Sequence, residues 1–558
     1  MIQFTERKRN KTSYPIFRLA LSFTKGYRQP LFFCILTGIL KVILGLLFIW
    51  LCKQIIDIAV AEKTGSIWFY SILLIATLLA EIITNALQSN LTTKNEVAMR
   101  NNLRQQLFSQ TLNSRWNGSE RHHTGEIMNR LEEDIRVVTD AWCNLIPSTI
   151  TAVLQAFGAF LFLSILSSTL AWLIAGILPL TLIFIKLFGK RLKLLTEDIR
   201  KTDGKIQAIM QESLQKRVIL LSLLRTQAAE DNLKREQDIL YKKVLKRNRF
   251  TITNRSLMAA GFGGGYLTAF LWGAVQLQRG MVTFGMVTAF LQLVGQLQRP
   301  VADLSRRIPG LIHAMASVSR LRDLIILERE SKVQDSCIAQ AIQLCGIRIE
   351  NVSFSYPQAT RQILHRFTHD FTPGSMTAIM GETGVGKSTL TRLILGLLQP
   401  QQGSIKFYDL QQRVYIASPS TRRSILYVPQ GNSLMSGTIR ENLLAGNDKA
   451  TEQQMYEALY DAAAEFVTEL PDKLETRCGE GGAGLSEGQA QRIAIARALL
   501  SEGKIMLLDE FSSALDAITE QRLMQRLQQY QKEKTILIVT HKQEVADLCK
   551  ETVRLKRV

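Results

Sequence analysis

Between residues 381 and 389 the chain reads Gly381-Glu382-Thr383-Gly384-Val385-Gly386-Lys387-Ser388-Thr389. Glycines at these spacings let backbone N–H groups close around a chain of phosphates, the lysine reaches the β and γ phosphates, and the serine hydroxyl ligates Mg²⁺. A short apolar strand, Ser375 to Met380, precedes the loop, and an amphipathic pattern with Leu390, Leu393, Ile394 and Leu397 follows it. That is the strand-loop-helix setting a phosphate-binding loop requires, with the helix N-terminus adding positive potential. The expectation is a nucleoside triphosphate site.

Farther along, Lys504 to Glu510 reads as a buried parallel strand ending in two acids. Asp509 is placed to hold Mg²⁺, and Glu510 to orient or deprotonate the attacking water. Another apolar strand, Thr535 to Thr540, ends in His541, which then sits at the carboxyl edge of the sheet where such folds bind ligands. A second glycine-bearing helix start, Leu485-Ser486-Glu487-Gly488-Gln489, precedes the helix Ala490 to Leu500 and makes another anion-binding N-terminus. Two phosphate sites in one domain are puzzling unless the second serves the nucleotide of another subunit.

These motifs lie in the C-terminal part of a chain of 558 residues, long enough for two to four domains. Hydrophobic residues are 46% and charged residues 21%, which excludes disorder and points to a membrane class. Apolar stretches at about 31–51, 66–88, 143–166, 169–188, 257–277 and 281–299 are each close to the ~20 residues that cross a bilayer core, so six spans are expected. Tyr14 to Gly26 reads as an interfacial helix rather than a cleaved signal. Connections between spans alternate between long and short, and the two long ones carry helical periodicity through Ile127, Leu131, Ile135 and Val138, then Ile206, Ile209, Met210 and Leu214. The helices should therefore continue beyond the membrane as rods.

Of the net charge of +20, residues 1–30 contribute +6 and residues 189–256 contribute +9. Both segments flank apolar runs, as cytoplasmic segments do, and lack the interleaved aromatics of a single-strand groove, so nucleic acid is not expected as a partner. Seven scattered cysteines without a C-x-x-C pair support neither a disulfide framework nor a structural metal.

The ordered set of motifs resembles the ATP-binding cassette (ABC) transporters, of the exporter type that fuses six spans to a C-terminal ATPase domain. The resemblance implies ATP and Mg²⁺, with Gly381 to Thr389 on the phosphates, and it adds residues that spacing alone does not identify. Gln430, in Tyr427-Val428-Pro429-Gln430, matches the Q-loop, a further Mg²⁺ ligand; Ser486, Gly488 and Gln489 belong to the signature; Ser512 to Asp516 match the D-loop. His541 matches the switch histidine and Tyr356 the aromatic residue that stacks on adenine. Thr476 to Gly481, with Glu480, resembles the exporter loop that touches the cytoplasmic helices, and Thr124-Gly125-Glu126 with Arg130 and Asp134 resembles the stretch after the first coupling helix. Three departures stand out: Glu487 where the family usually has glycine, an end at Val558 without the customary extension, and no peptidase domain before the membrane half.

The expected architecture is thus a multidomain membrane protein: an all-α six-helix transmembrane domain over 1–335, followed by an α/β P-loop ATPase domain over 336–558. By the resemblance, two such chains, identical or not, sandwich two ATPs, and ATP-driven alternating access exports a small amphiphile, lipid or peptide across the cytoplasmic membrane, with both termini cytoplasmic. A siderophore-type importer on the same scaffold and a membrane-tethered regulatory ATPase are the alternatives. Within the spans, Lys41 and Glu81 fall at similar depths on either side of a turn near residue 59, and are expected to pair or to face one cavity.

Overall fold

The computed structural model describes residues 16–116, 124–330, 344–356, 361–479 and 484–557. The chain forms two compact units: one of Met1–Ser109 with Thr124–Ile326, the other of Gln110–His123 with Leu327–Val558.

The first unit is helical. A short amphipathic helix α1 (Ile16–Phe23) leads into α2 (Arg28–Ala59) and α3 (Ile67–Leu112). The next run is a single rod made of α4 (Thr124–Asn129), α5 (Ile135–Asp140) and α6 (Ile146–Leu166), joined by wide π-helical turns at Arg130–Asp134 and Ala141–Leu145. Then come α7 (Ser168–Gln215), the short α8 (Arg217–Ser222), α9 (Thr226–Gln278) and α10 (Phe284–Ile325). The six apolar stretches lie on α2, α3, α6, α7, α9 and α10. By length and composition of the described residues, α2, α3, the Gly125–Leu166 run and α9 are long and apolar enough to cross a membrane.

Local chemistry sets the joints. Ser167, extended at φ −157°, caps α7 by accepting from the Leu170 N–H, so α6 and α7 reverse over one residue. Thr283 caps α10 in the same way, accepting from Met286 N–H at 3.1 Å. Asp57, buried and ion-paired with Lys53 at 2.9 Å, accepts the Gly285 N–H at 2.9 Å. A carboxylate at a helix N-terminus is favoured by the dipole, and any side chain at position 285 would collide with Asp57 and the Lys53 carbonyl. The core of this unit joins Leu163, Leu170, Ile174 and Ala269 to Phe290, Leu293, Val294 and Leu297 of α10.

The rods extend as the periodicity predicts: Leu131, Ile135, Val138 and Ile206 are buried. Met210 and Leu214, by contrast, are exposed, and with Val218, Ile219, Leu221, Leu223 and Leu224 they form an uncovered apolar tip around α8. The expected Lys41–Glu81 ion pair is absent among the described residues: Lys41 is exposed and Glu81 half-buried. Consecutive helices in sequence need not pack along their length, and here α2 packs on α6 and α10 rather than along α3.

The second unit is α/β. Strands β1 (Cys345–Phe354), β2 (Leu364–Phe371), β4 (Gln402–Asp409) and β5 (Val414–Ile416) form an antiparallel sheet in the order β2-β1-β4-β5. Strands β3 (Met376–Met380), β6 (Ile425–Val428), β9 (Ile505–Asp509), β10 (Thr535–Val539) and β11 (Glu551–Arg554) form a parallel sheet ordered β11-β3-β10-β9-β6. A hairpin of β7 (Gly437–Thr438) and β8 (Arg477–Cys478) stands apart. The helices are α11 (Lys387–Ile394), α12 (Ile439–Leu444), α13 (Glu452–Asp461), α14 (Glu487–Leu499), α15 (Ala517–Gln528) and α16 (Gln543–Asp547).

Strands β9 and β10 are buried throughout, as parallel strands covered on both faces must be. Alternate residues point to opposite faces. Met506, Leu508, Ile536 and Ile538 therefore join a core with α14, while Ile505, Leu507, Leu537 and Val539 join another with β1, β4 and α11. The segment after α3 is stitched into this unit: Arg115 N–H donates to Glu328 O at 2.7 Å, Glu330 N–H to Asn113 O at 2.9 Å, and Glu330 forms a two-bond ion pair with Arg422.

Candidate active site

The strand order decides which loops meet. With β3, β10, β9 and β6 adjacent and parallel, the residues that follow each of them gather at one carboxyl edge: Gly381–Thr389, His541, Glu510 and Gln430.

The loop after β3 is shaped around glycine. Gly386 caps α11 with φ +112°, and a Cβ there would meet Ile363 Cγ2 at 2.7 Å. Lys387 is buried, and its ammonium donates to Gly381 O at 2.6 Å, closing the loop on itself. Glu382, Thr383, Gly384 and Ser388 are exposed, whereas Val385 and Thr389 are buried. Tyr356 lies against the same helix, its ring edge-on to Phe354 at 5.1 Å. Its hydroxyl is 3.3 Å from Thr389 Oγ1 and accepts from Arg392 at 3.2 Å. The Arg392 guanidinium in turn sits 4.8 Å over the Trp116 ring.

Asp509, at the end of β9, is buried. Burial, and then the neighbouring Glu510 charge, push its carboxyl up to about 6, against the lowering pull of Arg392 and Lys387. It has no ion-pair partner among the described residues. A buried carboxylate without an ion-pair partner among the described residues, at the edge where the phosphate loop lies, suits Mg²⁺, which takes one or two carboxylates and completes its shell with phosphate and water. No cluster of three or more His, Cys, Asp or Glu that could hold a metal exists among the described residues.

Glu510 has a left-handed backbone, φ +47°. Its N–H donates to Val539 O at 2.9 Å. Gln430 Nε2 donates to Glu510 Oε2 at 2.6 Å, and His541 Nδ1 stands 3.8 Å from Oε1. Gln430, Glu510 and His541 are thus brought together, with His541 and Gln430 exposed.

The Ser486 region is not part of this cluster. Ser486 caps α14 in a reciprocal box with Gln489: its hydroxyl accepts from Gln489 N–H at 3.2 Å, and its N–H donates to Gln489 Oε1 at 2.9 Å. Ser486 and Glu487 are exposed while Gly488 is buried, and none of Ser486, Gly488 and Gln489 hydrogen-bonds the Gly381–Thr389 loop among the described residues. Glu487 Oε1 turns toward Gly431, 3.9 Å from where a Cβ would stand. Ser512 is buried, its carbonyl accepting from Lys542 at 3.0 Å, and Lys542 pairs with Glu520. Asp516 caps α15, accepting from Thr519 N–H at 3.0 Å. Glu480 and Gly481 lie outside the described residues.

In the helical unit, Arg130 donates to Glu126 at 2.8 Å and to Arg320 O at 2.9 Å, and stands 3.7 Å from Asp323. The Asp134 carboxylate is gripped by both ends of the Arg320 guanidinium. Sequence reasoning missed Arg320, Arg392, Gln491 and Lys542. For Gln491 the signal was present: it is a polar residue between Gly488 and Ala494 on one helix face.

This chain matches the ABC transporter transmembrane region family over residues 31–301 and the ABC transporter family over 364–513. An ATP-dependent lipid A-core flippase from Chromobacterium violaceum is 26% identical over 545 residues, covering 95% of this chain and 91% of that one. The flippase of the same description from Desulfotalea psychrophila is 29% identical over 425 residues, 75% of this chain and 73% of the relative. A bacterial Atm1-family ABC exporter solved with ATP bound shares the fold, with a TM-score of 0.79 at 21% identity over 95% of this chain and 93% of that one. The chain belongs to the ABC transporters, with a membrane region preceding the cassette in the exporter order. It is a multi-pass membrane protein whose cassette binds nucleotide and hydrolyses ATP to drive transport.

Proposed function

We propose that two of these chains form the working exporter, in the cytoplasmic membrane with both termini inside, and that an amphiphilic lipid is the cargo. In this reading, residues 1–335 form the path and 336–558 the engine. The observation that carries the dimer is the exposed, self-capped Ser486 end of α14, held away from a phosphate loop that is otherwise complete. A second chain supplies the missing side of each ATP site. The uncovered apolar tip around α8 is a further surface that calls for a partner. The lipid reading rests on the two flippases named above and on an exposed apolar belt that includes Trp68, Ile165 and Trp172.

At the site, Lys387 and the loop amides bind the phosphates, and Tyr356 stacks on the adenine once its hydroxyl leaves Thr389. Ser388, Gln430 and Asp509 hold Mg²⁺, which when bound neutralises charge developing on the phosphates. Glu510 takes the proton of the attacking water, and His541 holds the outer phosphate in place. ATP binding closes the two cassettes and turns the membrane path outward, because the closed state alone makes both sets of phosphate contacts.

Reconstitution in lipid vesicles tests this. Ser486→Ala should lower hydrolysis with monomeric ATP binding intact, Lys387→Ala should lower both, and mixing the two should restore part of the activity by regenerating one whole site. A Ser486→Ala protein with full activity would remove the sandwich. A panel of lipids, peptides and drug-like amphiphiles should show stimulation of hydrolysis by a glycolipid first; stimulation by peptides alone would reassign the cargo.

A further inference from the structure

Helix α14 does more than present Ser486 at its exposed end. Within two turns it lies on the segment that carries Glu510. A Cβ at Gly488 would meet Ala514 O at 2.5 Å and Leu515 Cδ2 at 3.3 Å, so the helix backbone rests directly on the residues after β9. One turn later, on the same face, Gln491 is fully buried. Its Nε2 donates to Glu510 O at 3.2 Å, while its Oε1 has no hydrogen-bond partner among the described residues.

That arrangement is costly for stability alone. Ala490, Ile493 and Ala494 of the same helix belong to the apolar core, and a leucine or methionine at 491 would fill the space without burying an orphan carbonyl oxygen. The bond it makes falls on one particular acceptor: the carbonyl of a glutamate held in the left-handed region, φ +47°, where non-glycine residues are strained and persist only when their surroundings fix them. The N–H of the same residue is fixed on Val539 O. With both backbone groups tied, only side-chain torsions remain to move the carboxylate between Gln430 and a water.

We infer that Gln491 is a positioning residue for hydrolysis, holding the left-handed peptide of Glu510 so that its carboxylate points at the outer-phosphate end of the site. The inference rests on the reading of Glu510 as the base. Gln491→Met keeps the length and volume of the side chain and removes the donor. In the full-length protein reconstituted in lipid, kcat for ATP should fall about ten-fold or more, while KM and nucleotide affinity stay within about two-fold and the thermal midpoint is not lowered. A purely structural glutamine would instead lower the midpoint and leave kcat per folded protein unchanged. A kcat within two-fold of wild type, or a midpoint falling together with kcat, overturns the role. Should the methionine variant not fold, Gln491→Asn, which withdraws the amide by one methylene, must show the same split; failure of both to fold assigns Gln491 to the core and ends the proposal. Glu510→Gln in the same preparation separates the layers. If it keeps turnover, the base reading falls; if it abolishes turnover while Gln491→Met leaves kcat intact, only the positioning role falls.

Discussion

In the nucleotide-binding unit, alternate residues of two fully buried strands sort into two cores, one on each face, and the reactive side chains stand at the edge between them. The helical unit is built otherwise. Its longest helices run to tens of residues, many of its large apolar side chains are exposed, and its rods are held in register by a few polar ties: Asp57 on Gly285, Arg130 on the Arg320 carbonyl, and Arg320 on Asp134. A cassette that buries its own apolar surface can fix a catalytic atom with one backbone bond. A unit that leaves much of that surface to another medium depends on side chains at helix ends and bends, so its specificity is spread over ion pairs rather than concentrated at a loop.

The largest effect expected from this contrast is at a single cassette residue. Glu510→Gln should slow phosphate release by about 10²-fold or more with ATP binding intact, because the amide keeps size and position but cannot take a proton. Near-normal turnover would remove Glu510 from that role and weaken the idea that one fixed group dominates the cassette.

The helical unit should respond at its ties. Arg320→Met leaves the Asp134 carboxylate buried without a partner, and should cost about 2 kcal/mol, a value reduced for the partial exposure of the arginine. Pairing it with Asp134→Leu should recover most of the loss in thermal unfolding. Equal losses in the single and double variants would mean that the tie contributes little and that packing alone holds the rods.

Lys534 probes the opposite property, a cassette core that tolerates a charge poorly. Burial, with Lys504 adding to it, lowers its ammonium to about 8, while it donates to Gly503 O at 2.8 Å. Because the folded-state value lies below the unfolded value of about 10.4, the unfolded chain binds more protons between the two, and stability rises with pH across that window. Lys534→Met should therefore raise stability at pH 7 by about 1 kcal/mol, after allowing for the lost hydrogen bond. The gain should shrink above pH 8 and vanish near pH 10. A gain independent of pH would locate the effect in packing instead.

The smallest expected change is at Glu487. A carboxylate favours a helix N-terminus by roughly 0.3–1 kcal/mol and disfavours an incoming phosphate. Its oxygen here turns toward Gly431 of the same chain. Glu487→Gly should lower the KM for ATP by no more than about two-fold, and an unchanged or raised KM would show that this side chain serves the Gln430 loop alone.

Much of the cassette was legible because its function needs residue types at fixed spacing on local elements: a glycine loop between strand and helix, and acids or a histidine at strand ends. What escaped was long-range. Arg392 meets Trp116, and Lys542 meets Glu520, only after the sheet has brought distant segments together, and a pairing of that kind leaves no periodic trace. In the helical unit, apolar runs marked where long helices lie, and periodicity marked buried positions along the rods such as Leu131, Ile135, Val138 and Ile206. It could not say which helix packs on which, and the Lys41–Glu81 pair failed because neighbours in sequence were assumed to be neighbours along their length.

Trp116 is the only tryptophan in the sequence of the nucleotide-binding unit, the other five belonging to the helical unit. Its indole lies under the guanidinium that also reaches the Tyr356 hydroxyl, so the aromatic residue assigned to the adenine and a natural fluorophore share one arginine. When a base draws Tyr356 away, the charge over the indole is released from one of its two tethers, and the emission of Trp116 should shift with it. With that proposed role of Tyr356, Trp116 emission should report nucleotide occupancy without a label once the five tryptophans of the helical unit are replaced by phenylalanine.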